Sequence, residues 1–211
     1  MANVSRISGF RPVKHITGAP YNGQANIYEV PAVEAIPVFV GDLVRLSNSA
    51  ATSYFPAVEA AVTAAVTSGV YIGAVVGIIN SKMDPINGSM TAGSISLDTP
   101  QYRAASTKQF VLVADAPDLI FEAEADAAVA LTSNGLNVGV VEGDGTNSLG
   151  STTTGASGMQ VDASSVAITN SLPLQIVGIP NRVDNEPNAS YNKVWVRINT
   201  HALSPSGVTA V

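Results

Sequence analysis

Residues 110–125 (FVLVADAPDLIFEAEA) carry the strongest strand signals in the chain. In the first run, residues 110–114, apolar side chains occupy both alternating sets of positions, which is typical of a strand buried on both faces. Residues 116–118 (APD) supply a turn, because proline presets φ and aspartate can hydrogen-bond to its own backbone. The return run alternates apolar residues with Glu122 and Glu124. We therefore predict a β-hairpin in which one strand is buried and the other has an acidic outer face that is exposed to solvent.

Further strand candidates follow one another at short intervals along the chain. They lie at residues 36–40, 43–46, 70–79, 127–131, 136–141, 159–161, 166–168, 172–177 and 194–198, with one more at 94–97 inside a polar loop over 80–101. Gly41-Asp42 and Asn134-Gly135 are turn pairs typical of hairpins. Residues 56–67 favour a short Ala-rich helical turn over a strand. With about nine to eleven strands and at most one or two short helices, we predict a mainly β chain, a β-sandwich or barrel of short antiparallel strands.

The first 35 residues differ from the rest in charge and in turn-forming residues. Basic and imidazole side chains precede the first acidic residue, Glu29, and glycine and proline recur so often that we predict no regular element of useful length. Large apolar side chains favour an extended strap on an acidic partner over a disordered basic tail. We therefore predict an extended N-terminal arm over residues 1–35 and a β-rich body over 36–211, with a division of the body near residue 127 left open.

Composition restricts the partners of the chain. Hydrophobic residues make up 46% and charged residues 12%, which indicates a neutral surface suited to being covered by other subunits. The net charge of −6 argues against direct contact with nucleic acid, since phosphate binding needs clustered Lys and Arg. Residues 57–79 resemble a membrane span, but Ser68-Gly69 divides them into pieces too short to cross a bilayer. We expect neither a nucleic-acid nor a membrane partner.

No set of residues in the sequence indicates catalysis, a cofactor or a metal. His15 and His201 lie in no metal-ligand spacing and beside no nucleophile signature. The Gly/Ser/Thr-rich tract over residues 143–158 lacks the order of a phosphate-binding loop and has the composition of a flexible linker. An acidic cluster is either a calcium site or a solvated face, and we favour the solvated face. Its members are Asp115, Asp118, Glu122, Glu124 and Asp126.

Four stretches of the chain together resemble the head decoration, or cement, proteins of tailed bacteriophages. They are residues 9–32 (GFRPVKHITGAPYNGQANIYEVPA), 102–124 (YRAASTKQFVLVADAPDLIFEAE), 150–162 (GSTTTGASGMQVD) and 183–203 (VDNEPNASYNKVWVRINTHAL). These stretches are similar to the family in sequence and are not catalytic signatures, and they are spread over most of the length of the chain, from residue 9 to residue 203.

The resemblance implies a non-enzymatic structural protein, made in the host bacterial cytoplasm and placed in the virion on the outer face of an icosahedral capsid. There it would bridge and stabilise subunits of the major capsid protein as a homo-oligomer, a trimer in preference to a dimer. Within this hypothesis aromatic and basic side chains are the predicted capsid contacts, since such residues are enriched at interface hot spots. The polar contacts are Arg6, Arg11 and Lys14, and the apolar anchors are Phe10, Tyr21 and Tyr28.

Other classes of protein fit the sequence less well. The alternative within the virion is a head fibre, a tail protein or a shell subunit. A fibre would show repeats, and a shell subunit of the common tailed-phage type would need a long spine helix. A carbohydrate-binding module would need several exposed Trp and Tyr, and an enzyme would need convergent polar groups that the sequence does not indicate.

Overall fold

A computed structural model describes residues 3–47, 55–60, 69–79, 82–84, 89–91, 101–141 and 149–204. The chain is mainly β, and its antiparallel sheets form a sandwich rather than a closed barrel. The strands are β1 (Arg11–His15), β2 (Asn26–Val30), β3 (Val38–Phe39), β4 (Leu43–Leu46), β5 (Val58–Ala60), β6 (Gly73–Ile79), β7 (Lys82–Asp84), β8 (Ser89–Thr91), β9 (Tyr102–Arg103), β10 (Gln109–Ala114), β11 (Leu119–Glu124), β12 (Asn137–Val141), β13 (Gln160–Ala167), β14 (Leu174–Gly178) and β15 (Lys193–Ile198), and one 3-10 turn covers Leu131–Ser133.

Two large sheets divide these strands almost by their position in the chain. The six-stranded sheet has the order β1-β11-β15-β14-β12-β13, and the five-stranded sheet has the order β2-β10-β6-β4-β5. Two short pairs, β3-β9 and β7-β8, complete the described strands. Except for β1, the chain therefore builds the five-stranded sheet before residue 116 and the six-stranded sheet after it.

The two strands predicted as a central hairpin exist but do not pair with each other. β10 pairs with β2 and β6, whereas β11 pairs with β1 and β15. The turn over residues 115–118 therefore carries the chain from one sheet to the other. The hairpin predicted at Gly41-Asp42 is wrong for the same reason, because β3 pairs with β9 and β4 with β5 and β6. A turn signal predicts a local reversal but does not specify which strands become neighbours.

Two hydrophobic cores lie on opposite faces of the five-stranded sheet. The first core fills the space between the two large sheets, where Phe121 and Val196 meet Leu43 and Ala114. The second core covers the other face, where Val111 and Val113 pack with residues such as Val38 and Val44. The five-stranded sheet is therefore a middle layer, which confirms that β10 is buried on both faces.

The prediction of an irregular N-terminal segment is wrong for much of residues 1–35. β1 forms an edge of the six-stranded sheet, and β2 forms an edge of the five-stranded sheet. Pro12 is accommodated because β1 is an edge strand and its register shifts between Pro12 and Lys14. Gly18 and Gly23 adopt positive φ angles in the connection between the strands, a conformation that suits glycine. Residues 11–30 thus belong to the sandwich itself.

Several other predicted elements differ from the structure. Residues 58–60 form β5 instead of a helical turn, residues 127–131 form no strand, and residues 159–168 contain one strand, β13. The predicted loop over residues 80–101 contains the hairpin β7-β8, and its strand candidate at 94–97 lies outside the described residues. The second part of the presumed linker is ordered, since Val40 and Ala156 form a β-bridge, while residues 142–148 are not described.

Arg103 is a fully buried cation that joins the loops over the second core. Its guanidinium donates to the carbonyl oxygens of Thr107 at 2.7 Å, Ile36 at 2.6 Å and Pro31 at 2.7 Å. Burial lowers the pKa of Arg103, and the nearby Glu34 carboxylate opposes that change. The sequence analysis did not identify this residue, because nothing local distinguishes it from a surface arginine.

We expect Arg103→Met to lower the free energy of unfolding by about 3 kcal/mol or more, because one buried and two partly buried carbonyl groups lose a charged donor. Urea denaturation would measure the change. Arg45→Met is the matched control, since Arg45 makes a partly exposed ion pair with Glu59 and its removal costs about 1 kcal/mol or less. Equal effects of the two substitutions would contradict the assigned role of Arg103.

His201 links stability to pH. Its ring is buried, Nδ1 accepts from the Leu203 N–H at 3.0 Å, and Nε2 has no hydrogen-bond partner in the described part of the chain. Burial lowers the pKa of His201, and the backbone at Ile72 and the charge of Asp115 oppose that change. The unfolded chain therefore binds the proton more readily, so stability is full above the ordinary histidine pKa of about 6.5 and falls as the pH drops below it.

We expect the free energy of unfolding to decline between about pH 7 and pH 5, and His201→Asn to reduce that decline. The Asn amide oxygen can still accept from Leu203, so the variant is expected to fold. His15→Asn is the control, because His15 is the other histidine and is only half-buried. An unchanged pH dependence in the His201 variant would show that another group is responsible.

Candidate interaction surface

The outer face of the six-stranded sheet, turned away from the first core, carries a row of polar and aromatic side chains. On β11 the residues Leu119, Phe121 and Ala123 belong to the core, so the alternate residues point to the outer face. The register places Glu122 beside Trp195 on one side and Arg11 on the other. Residues distant in sequence are therefore brought onto one surface by strand pairing.

Six of the ten Lys and Arg residues lie on or beside this face, namely Arg6, Arg11, Lys14, Arg182, Lys193 and Arg197. Two of them are neutralised by carboxylates. Arg182 makes a bidentate contact with Glu122 at 3.0 and 3.1 Å, and Lys193 lies 3.1 Å from Glu124. The other four have no ion pair with any residue that the structure describes. The face is therefore locally positive on a chain with a net charge of −6.

We call Arg6, Lys14, Arg197 and Trp195 the cationic face. The Lys14 ammonium lies 4.0 Å from the centre of the Trp195 ring, a cation–π contact. The Trp195 indole N–H donates to Glu122 at 3.2 Å, and the Arg197 guanidinium donates to Gln175 at 2.7 Å. The partners of Lys14 and Arg197 are thus an aromatic ring and a neutral amide, which orient these cations but leave their charge uncompensated. An acidic surface is the complementary partner.

The predicted capsid contacts fall into two groups in the structure. Arg6 and Arg11 are exposed, and Lys14 and Tyr21 are half-buried. Phe10 and Tyr28, in contrast, are 1% and 5% exposed and pack in the first and second core. These two aromatic side chains stabilise this subunit, so their predicted role as anchors on a partner is wrong for the fold as it stands.

The acidic residues do not form one continuous solvated face, since Glu124 is buried and the other four are partly exposed. Asp115 accepts from the Tyr28 hydroxyl at 2.6 Å, and burial, more than this contact, raises the pKa of Tyr28. Asp118 lies 3.0 Å from His15, and Asp126 accepts from the Ala163 N–H at 2.9 Å. The five carboxylates thus make their hydrogen bonds and ion pairs at separate places in the fold. No group of three or more potential metal ligands occurs among the residues described.

Glu124 fastens the N-terminal residues to the six-stranded sheet. One carboxylate oxygen accepts from the Ser5 hydroxyl at 2.8 Å and the Gln160 amide at 3.2 Å. The other accepts from the Arg6 backbone N–H at 2.7 Å and the Lys193 ammonium at 3.1 Å. The side chain is almost completely buried beneath residues 5 and 6. Its position on β11 predicted an exposed carboxylate, and only the crossing N-terminal segment covers it.

We expect Glu124→Gln to lower the free energy of unfolding by about 2 kcal/mol or more. The partly buried Lys193 loses its counter-charge, and the NH2 group of the introduced glutamine replaces an oxygen that accepts hydrogen bonds from two donors. Hydrogen exchange at the Arg6 amide should accelerate at the same time. Glu122→Gln provides the control on the same strand, where a partly exposed pair with Arg182 predicts about 1 kcal/mol or less. An unchanged exchange rate at Arg6 would disprove the fastening role.

A cleft of about 740 Å³ opens beside β1, between the two large sheets. Arg11 and Tyr21 are the ionisable residues among those that line it, and the Tyr21 hydroxyl donates to the Gln24 carbonyl oxygen at 2.9 Å. Burial raises the pKa of Tyr21, with a smaller contribution from Asp115. The lining thus brings together one cation and one phenol, an arrangement suited to binding an anionic group.

Only part of this surface is recognisable from the sequence. The alternation in residues 194–198 places Trp195 and Arg197 on one face, opposite the buried Val194 and Val196. The approach of Lys14 to Trp195 depends on the order β1-β11-β15, which no local pattern contains. Arg182 lies in a loop, and its pairing with Glu122 has no sequence signal.

Searches against family models, curated proteins and solved structures find no match to this chain. Within the described ranges, no helix is long and apolar enough to cross a membrane.

Proposed function

We propose that the chain is a structural virion protein that binds the outer surface of an icosahedral bacteriophage capsid and stabilises it by bridging subunits of the major capsid protein. The observation that carries the proposal is the cationic face, where Arg6, Lys14 and Arg197 have no carboxylate partner among the described residues. The sequence resemblance to phage head decoration proteins supplies the class of partner.

The construction of the face supports a docking role. Its central strands, β11 and β15, pair over five residues each and carry their apolar side chains into the first core. The face is therefore backed by packed structure and loses little conformational freedom when it binds. Its positive charge directs it to an acidic partner, whereas the negative charge of the whole chain opposes contact with DNA. The protein acts by binding and not by catalysis.

Many identical contacts would make modest single-site affinity sufficient. We propose a homo-oligomer, a trimer in preference to a dimer, that engages several shell subunits at once. Linked binding sites of this kind raise overall avidity by roughly 10²- to 10⁴-fold over one site. Imaging of purified virions would locate the chain on the outside of the shell, and a position in a fibre, in the tail or within the shell itself would support the alternative structural role instead.

We expect the double variant Arg6→Gln/Lys14→Gln to bind undecorated shells roughly three- to tenfold more weakly, with a smaller loss of binding as salt is raised, because the contact is electrostatic. Co-sedimentation with shells at increasing salt measures both effects. Arg45→Gln/Lys108→Gln removes the same charge elsewhere, where both cations already face acidic residues. Equal binding by the two variants would exclude the cationic face as the docking surface.

A further inference from the structure

Val183 and Asp184 form the tip of a rigid turn. The Asn185 N–H donates to the Arg182 carbonyl oxygen at 3.1 Å and closes the turn. Arg182 is held by Glu122, and the buried Asn185 side chain donates to Pro180 and Lys193 at 2.9 and 3.0 Å. Both residues that flank the tip are therefore fixed to the body of the protein.

The tip presents an apolar side chain next to a carboxylate. Val183 is 90% exposed, more than any other large apolar residue in the described ranges. The Asp184 side chain is 76% exposed and lies 3.5 Å from the Arg182 guanidinium of the same turn, so a cation of a partner would share this carboxylate with Arg182. A single exposed valine requires no explanation by itself. A valine and a carboxylate fixed together at a protruding turn are, however, a defined shape with a defined charge.

The cleft beside β1 offers apolar lining and one positive charge. Val40 and Val76, both partly buried, supply apolar lining, and Arg11 is the charged residue among the lining residues. Arg11 is exposed and has no ion pair or hydrogen bond through its side chain in the described residues. The opposite wall, residues 153–156, is ordered by the Gly155 N–H, which donates to the Ser151 carbonyl oxygen at 2.7 Å.

We propose that the tip of one copy of this chain inserts into the cleft of a second copy, with Val183 against the valine lining and Asp184 paired with Arg11. The opposite charges of Asp184 and Arg11 favour a second copy over a partner of other chemistry. Both elements are preorganised, so little ordering entropy is lost on association. Each copy has one tip and one cleft, so the contact is head-to-tail, and the proposed trimer requires that three such contacts close a ring.

This inference rests on the proposed homo-oligomer and deepens it by naming its contact. Its crosslinking and self-association tests use no shells, so their failure leaves binding to the shell as a separate question. The chain has no cysteine, so single cysteines can be introduced cleanly. We expect an oxidised mixture of Val183→Cys and Thr154→Cys to form a disulfide between positions 183 and 154, identified by mass spectrometry. Disulfide formation requires the two Cα atoms to approach within about 7 Å.

Val33→Cys mixed with Thr154→Cys is the control, because Val33 is a loop valine with a comparable 73% exposure and an acidic neighbour. A 183–154 link no more frequent than the 33–154 link would overturn the proposal. If the Thr154→Cys variant were protected from alkylation only after addition of shells, the proposal would also be overturned, since the cleft would then hold a segment of the shell protein.

A double-mutant cycle tests the ion pair. We expect Arg11→Gln and Asp184→Asn each to weaken self-association roughly three- to tenfold, measured by sedimentation equilibrium, and the double variant to be no weaker than either single variant. Additive effects, or unchanged association in both single variants, would show that the two residues do not meet. Circular dichroism of each variant verifies that the fold is intact.

Discussion

The burial of the five-stranded sheet on both faces is the constraint on which the rest of the fold depends. Because β10 is apolar on both sides, one layer of structure is insufficient to cover it. The six-stranded sheet covers one face, and the second core, with Val38 and the loops held by Arg103, covers the other. A buried arginine is tolerable there because three carbonyl oxygens accept its hydrogen bonds.

The same constraint places the polar residues. With both faces of the five-stranded sheet covered, the outer face of the six-stranded sheet becomes the broad surface on which cations collect. Acidic residues on this side are used internally, as Glu122 pairs with Arg182 and Glu124 with Lys193. The surface is therefore positive because its carboxylates are already paired with Arg182 and Lys193, and not because the chain has an excess of basic residues.

Periodicity predicted the elements better than their arrangement. β4, β6, β10, β11, β12, β14 and β15 all lie within or beside predicted strands, because alternation and apolar runs are local properties. Pairing is not local, so the hairpins predicted around residues 41–42 and 116–118 failed where the chain changed sheets. β1 and β2 were missed because proline and glycine interrupt the pattern, although an edge strand tolerates Pro12. The same holds for the candidate surface. Alternation within one strand predicts that Trp195 and Arg197 share a face, but it does not predict that Lys14 lies beside them.

The position of β1 has a consequence for biosynthesis. Its partner, β11, begins at Leu119, more than one hundred residues later in the chain. During translation β1 therefore has no strand to pair with until most of the five-stranded sheet has left the ribosome. Such long-range pairing slows folding, because a large loop must close before the contact is made. β1, which precedes every other described strand, therefore finds its place only after the strands of the five-stranded sheet have been made.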